Sequence, residues 1–199
     1  MDRPRTNKDK IHLVETHFIE ILKILGIDET ENTAGTPLRI SKMLVNEVCK
    51  NIDPASLQHL KNQMKYFPNE TQPYKNMVMV KKIAYNSWCV HHFLPFSGYM
   101  NIGYVPDEKV LGLSKFPRVV EHFSKMPQLQ EYLVVDICDF IFDVTKAGYV
   151  MASSVAVHAC VACRGIENAC ETVAYFDRHK NRDADYHAMF NNLGGFNFE

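Results

Sequence analysis

Several things are missing from this sequence. No stretch approaches ~18 consecutive apolar residues, so nothing in it reads as a membrane-spanning helix. No charge of one sign dominates: 22 Lys and Arg stand against 23 Asp and Glu, a formal charge of −1. That balance removes the basis for general affinity toward nucleic acid or an anionic membrane. There is no internal repeat, no low-complexity tract and no long Gly/Ser linker. The opening MDRPRTNKDK is polar rather than an apolar signal core, which predicts a cytoplasmic protein. Six cysteines in such a setting are expected as thiols, metal ligands or core residues rather than a disulfide framework.

What is present is enough for a core: 199 residues, 46% of them hydrophobic. Ile11, Val14, Phe18, Ile21, Leu22 and Leu25 recur at three- and four-residue steps and predict a helix that Gly26 stops. Thr36 and Pro37 read as an N-cap and first-turn proline for a second helix carrying Ile40, Met43, Leu44 and Val48. One short helix is expected after Pro54. Residues 1–75 therefore read as a helical arm, and 76–199 as a second unit.

From Met77 the composition turns β-branched. Strands are predicted over Met77–Tyr85, Ser97–Val105 and, shorter, Val110–Leu113, with a polar turn from Asn86 to His92. Helices are predicted over Pro117–Met126 and Pro127–Lys146, then strands over Tyr149–Cys160 and Glu171–Phe176. The tail from Asp177 reads as polar and loosely specified. The order implies an α+β fold, an antiparallel sheet with two helices on one face.

Chemistry concentrates in two places. Cys89-Val90-His91-His92 carries a thiol and an imidazole around one tight bend, suited to one zinc ion. His158-Ala159-Cys160 ends a predicted strand, where alternate residues share a face. Cys89, His92 and Cys160 would leave a fourth zinc position open, as catalytic zinc requires, with His91 and His158 free as acid and base. Cys163 offers the competing reading, a closed four-ligand site that is purely structural. A redox Cys pair lacks a surrounding βαβ pattern. The deaminase signature of H-x-E before P-C-x-x-C is absent. Ser114, Lys115 and Arg118 stand at a predicted helix start and suit phosphate. Arg164 follows the second cluster, and Arg39 and Lys42 lie one turn apart on the early helix. Each is otherwise a solvated surface charge. Glu131, beside Gln130 at the start of the long helix, is either a double acceptor for adjacent N–H donors or a helix-dipole partner.

These residues resemble GTP cyclohydrolase I, from about Gly35 to Gly165, through five motifs in family order. They are TPLRISK at 36–42, CVHHF at 89–93, GLSK at 112–115 with Arg118, PQLQE at 127–131, and HAC at 158–160 with Arg164-Gly165. The resemblance implies a tunnelling fold whose sheets join into an oligomeric barrel, usually a homodecamer with sites between subunits. It implies zinc (Zn2+) held by Cys89, His92 and Cys160, and GTP opened at C8 with loss of formate to give 7,8-dihydroneopterin triphosphate. That product leads toward folate, pterins or 7-deazaguanine bases. His91 and His158 would move protons and Ser114 would assist at the ribose. Glu131 would hold the guanine edge helped by Gln130. Lys115, Arg118 and Arg164 would hold the triphosphate, with Arg39 and Lys42 coming from a neighbouring subunit. Val90 stands where the family generally has Glu, which keeps open a same-fold enzyme for another purine nucleotide; the other alternative is a non-catalytic zinc module closed by Cys163.

Overall fold

The computed structural model describes residues 5–69, 76–180 and 185–198. The boundary expected after residue 75 adjoins 70–75, outside the described residues. Helix α1 (Asn7–Ile24) opens with a reciprocal cap: the Thr6 hydroxyl accepts from the Asp9 amide while the Asp9 carboxylate accepts from the Thr6 amide. It ends as expected before Gly26, whose φ of 71° is a left-handed value that glycine tolerates. α2 (Thr36–Met43) runs on into a π-helical turn at Leu44–Val48. Its N-cap is Gly35 rather than Thr36, whose hydroxyl instead accepts from Arg39 Nη2 at 2.9 Å. α3 (Ala55–Asn62) follows Pro54 as expected. No α1 residue is fully buried, and Ile21, Ile24 and Leu25 of its apolar side are exposed in the single chain.

The main sheet has the order β5-β2-β3-β6-β7. Its long strands β2 (Val78–Cys89), β3 (Pro95–Val105), β6 (Tyr149–His158) and β7 (Glu171–His179) pair antiparallel. β2 is longer than expected, because Asn86–Cys89 alternate exposed and covered positions, Asn86–Trp88 staying paired with β3 and Cys89 lying beside Gln128 instead of turning. The two-residue β5 (Pro127–Gln128) lies parallel beside the end of β2, so the helix expected from Pro127 begins only at Gln130. β4 (Lys109–Leu111) pairs not with the main sheet but with β1 (Tyr66–Pro68), a strand the sequence reading did not find.

Helices α4 (Lys115–Ser124) and α5 (Gln130–Thr145) cover one sheet face. Phe116, Val119, Val120, Leu133, Ile137 and Ile141 pack there in one core with Met100, Ile102, Tyr104 and Ala152. The burial follows the three- and four-residue apolar spacing of both helices. A second apolar cluster joins Met77, Val105, Tyr149 and Met151 to Phe190 of α7 (Asp185–Asn192). The tail is therefore better specified than its polarity suggested. Phe190 is fully buried, and Asn101 Nδ2 donates to the carbonyls of Gly195 and Asn197. No helix among the described residues is long and apolar enough to cross a membrane.

Candidate active site

Strand pairing brings the two Cys/His clusters together. β2 ends at Cys89, and residues 90–94 turn directly into β3. The turn is closed by Cys89 N–H donating to Leu94 O and Phe93 N–H to Cys89 O, both at 2.9 Å. Phe93 takes a left-handed φ of 53° in it, a conformation a non-glycine residue adopts only at some cost. Val90 N–H donates to Gln128 O, tying the bend to β5. β3 pairs with β6 so that Phe96 stands opposite His158, the last residue of β6. The chain then coils into the single turn α6 (Ala159–Ala162), which carries Cys160. Cys160 thus lies on a helical turn, not on the strand as expected, and reaches the same place.

The ligand atoms of Cys89, His92 and Cys160 all lie within 4.8 Å of one another, the one such group of three among the described residues. Cys89 is buried and His92 exposed. Two sulfurs and an imidazole nitrogen suit zinc's tetrahedral preference and leave one position unfilled. Cys163 is exposed and outside this group, so the closed four-ligand alternative is not formed. Burial and the neighbouring Cys89 thiol push the Cys160 thiol above its ordinary pKa, while Arg164 acts in the opposite direction.

The two spare histidines differ in setting. His91 is exposed, its Nδ1 3.9 Å from Cys89 Sγ. The His158 ring is stacked on Phe96, centroids 4.5 Å apart and 5° from parallel. Burial holds its pKa below the usual imidazole value, partly opposed by the Glu131 carboxylate. His158 Nε2 lies 2.9 Å from Gln130 Oε1. The Gln130 amide nitrogen donates to Thr172 O at 2.9 Å, and lies 3.3 Å from Ser154 O and 3.1 Å from Ser154 Oγ. Carbonyl oxygens only accept, so the amide's NH2 faces them and its oxygen faces the ring. His158 Nε2 must then carry hydrogen, which leaves Nδ1 as the basic nitrogen of the neutral ring.

Gln130, expected to help Glu131 at the guanine edge, is only 1% exposed and spends its amide on His158, Ser154 and Thr172. Glu131 is exposed in the first turn of α5, free to accept from a ligand. Arg164 is exposed beside Cys160. Ser114 sits at the N-cap of α4 without a side-chain cap bond, and Lys115 is 9% exposed. Arg118 is exposed and lines a cleft with Lys50, His59 and His122. Arg39 and Lys42 are exposed on α2, in the arm. None of the described contacts joins Ser114, Lys115, Arg118, Arg39 or Lys42 to the Cys/His group. The sequence reading missed Phe96, Ser154 and Tyr85, whose hydroxyl lies 2.5 Å from Ser154 Oγ. Only the Ser153-Ser154 pair inside an otherwise apolar strand signalled a buried polar network.

Residues 14–193 match the family described as GTP cyclohydrolase I. The GTP cyclohydrolase 1 of Erwinia tasmaniensis is 38% identical over 161 residues, covering 79% of this chain and 69% of that protein. The protein of the same name from Citrobacter koseri is 34% identical over 167 residues, 82% of this chain and 72% of that protein. Among solved structures, the apo form of the archaeosine synthase QueF-Like aligns with 53% of this chain and 95% of that one. The TM-score is 0.44 and the identity 19%, too slight a likeness to bear on the site.

Proposed function

The chain belongs to the GTP cyclohydrolase I family, and from that premise we propose that it hydrolyses GTP at C8 of the guanine ring, releasing formate and giving 7,8-dihydroneopterin triphosphate. The observation that carries this reading is the convergence of Cys89, His92 and Cys160 within 4.8 Å, with two further histidines adjoining them in sequence. These three residues would hold zinc, which when bound supplies Lewis-acid polarisation and a water of lowered pKa at neutral pH.

The chain's own groups supply the rest. Water adds across the C8–N bond, so a proton must leave the water and another must reach the departing ring nitrogen. His158, its Nε2 hydrogen committed to Gln130, exchanges protons through Nδ1. His91, exposed at the bend, serves as the second proton carrier. A second hydrolysis of the same carbon releases formate and frees an amine. Once the ribose has opened and rearranged to its 2-keto form, that amine condenses with it and closes the dihydropterin ring with loss of one water. Glu131 accepts from guanine N1–H and the exocyclic amine, a pair that adenine lacks. Lys115, Arg118 and Arg164 hold the triphosphate, and Ser114 stands at the ribose. Arg39 and Lys42 complete the phosphate site from a neighbouring copy in a homo-oligomer, the decamer usual in the family.

The experiment is direct: supply GTP and measure formate together with a fluorescent pterin after oxidation. Both products are expected from GTP, neither from ATP, and neither after the metal is removed by a chelator. Formate from another purine nucleotide in preference to GTP would establish the sibling reading that Val90, 47% exposed beside the bend, keeps in view. Metal analysis should give about one zinc per chain, lost in Cys160→Ala and kept in Cys163→Ala.

A further inference from the structure

The six cysteines differ in how open they are to a reagent. Cys89 and Cys138 are buried, Cys49 and Cys160 are half-buried, and Cys163 and Cys170 are exposed. Cys163 is the C-cap of α6, and its N–H donates to Ala159 O at 2.9 Å, so the main chain keeps its helical course from Ala159 to Cys163. Residues three apart in such a turn share one face, with Cα atoms about 5 Å apart. A disulfide spans Cα atoms roughly 4.4–6.8 Å apart. Cys160 and Cys163 can therefore be joined by side-chain rotation with the main chain in place. Cys163 lies outside the Cys89, His92 and Cys160 group, so its sulfur is not committed to a metal.

We propose that Cys163 is a site of oxidative modification: a hydroperoxide oxidises it, and Cys160 then closes a Cys160–Cys163 disulfide that takes a ligand from zinc. The proposal rests on the zinc reading above. In the first step the Cys163 thiolate attacks one peroxide oxygen. An S–O bond forms, the O–O bond breaks, and the departing oxygen leaves as water once protonated, giving a sulfenic acid. In the second, the Cys160 sulfur attacks the Cys163 sulfur. The S–S bond forms, the S–O bond breaks, and the hydroxide leaves as a second water. Two thiols are oxidised to one disulfide and the peroxide is reduced to two waters. Three observations favour this order. Cys163 is exposed and not a ligand, whereas Cys160 is half-buried and shares its sulfur with the metal. Closure spans only two intervening residues, so little chain entropy opposes it. With Cys160 in a disulfide, Cys89 and His92 alone remain of the ligand group, fewer than the three protein ligands that zinc sites use. The pair ends an antiparallel strand with no βαβ unit around it, so its role is to govern the metal rather than to turn over other disulfides. A dithiol attacking the exposed Cys163 sulfur restores the ligand.

The test treats the zinc-loaded full chain with hydrogen peroxide beside a chromogenic zinc chelator, then maps disulfides by mass spectrometry of the digested protein. In the parent, zinc release should keep pace with a Cys160–Cys163 disulfide, and dithiothreitol with added zinc should reload the site. Cys163→Ala should bind zinc before treatment as the parent does, which also shows that its site is folded. Its release under peroxide should be at least ~10-fold slower, because the exposed thiol that reacts first is gone. Cys170→Ser, which removes the other exposed thiol, should behave as the parent. Equal release from Cys163→Ala and the parent would mean that the ligands are oxidised directly, and overturns the proposal. So does a map showing Cys89–Cys160 or a bridge to Cys170 instead, zinc retained after the disulfide has formed, or an untreated Cys163→Ala that lacks zinc. Formate release enters none of these readouts. A protein that forms this disulfide and sheds zinc but never opens GTP fails the functional reading alone.

Discussion

At the scale of single residues, Gln130 shows how a motif can be legible while its purpose is not. Its place in PQLQE singled it out, but its partners lie 24, 28 and 42 residues away on β6 and β7. No local periodicity encodes that meeting. It requires the sheet order, which places Ser154 and Thr172 on neighbouring strands under the start of α5. The Cys/His group was legible for the opposite reason: each pair is set by a short spacing, and only the union of the pairs needed the fold. Gln130→Ala should keep zinc and GTP affinity while lowering kcat at least ~10-fold, since it frees the His158 ring to rotate and exchange tautomers. Nitrogen-15 NMR of the imidazole should then show a mixed tautomer where the parent shows hydrogen on Nε2. An unmixed spectrum in the variant would mean that Phe96 stacking alone holds the ring.

Tyr85 extends the same network, and burial raises its hydroxyl pKa from 10.0 to about 12. An acid with a raised folded-state pKa contributes its full stability below the unfolded pKa. That contribution is lost as pH rises from ~10 through ~12, because the unfolded chain ionises first. Denaturant midpoints should therefore fall over this window, and more steeply in the parent than in Tyr85→Phe. Equal slopes would show that the other buried alkaline groups, Tyr149 and Cys138, account for the loss.

Among the elements, the long apolar-striped helices and the β-branched strands were legible, and the short pieces were not. β1 and β5 have three and two residues, too few for any period, and exist because partners lie alongside. Helix α7 was missed because its eight residues, DYHAMFNN, are mostly polar. One side chain makes the element: Phe190 fills a space on the sheet above Gly103. A Cβ at 103 would stand 2.7 Å from Met77 Sδ and 2.8 Å from the Phe190 ring, closer than real side chains approach. Phe190→Ala should cost about 3–5 kcal/mol, the usual range for deleting a buried aromatic. Gly103→Ala should cost about 1–3 kcal/mol by overpacking the same space. Urea unfolding of both variants tests the pair. A cost below ~1 kcal/mol for Phe190→Ala would mean that the tail docks without supporting the sheet.

For the molecule as a whole, a single chain leaves its parts unmatched. The apolar side of α1 exposes Ile21, Ile24 and Leu25, and the outer strand β7 exposes Val173 and Tyr175 along an edge with no further partner among the described strands. Exposed strand edges are normally covered or closed. Arg39 and Lys42, assigned to the phosphates, sit in the arm without a described contact to the Cys/His group of their own chain. Copies that join edge to edge relieve the first problem, and an arm reaching into the neighbour's site relieves the second. This arrangement makes a quantitative prediction. Cys89→Ala removes the metal half of every site and Arg39→Ala weakens the half supplied by the arm, so each variant alone should lose most of its formate release. If each site takes those halves from different copies, subunits of the two variants co-assembled in equal amounts should contain some intact sites. Random pairing leaves both halves intact in about one site in four, so roughly a quarter of parental formate release should return. Mixing without dissociation and reassembly should restore nothing, which controls for contaminating activity. If co-assembled material stays as inactive as its components, Cys89 and Arg39 serve sites of the same chain, and the shared site is wrong even where the oligomer is right.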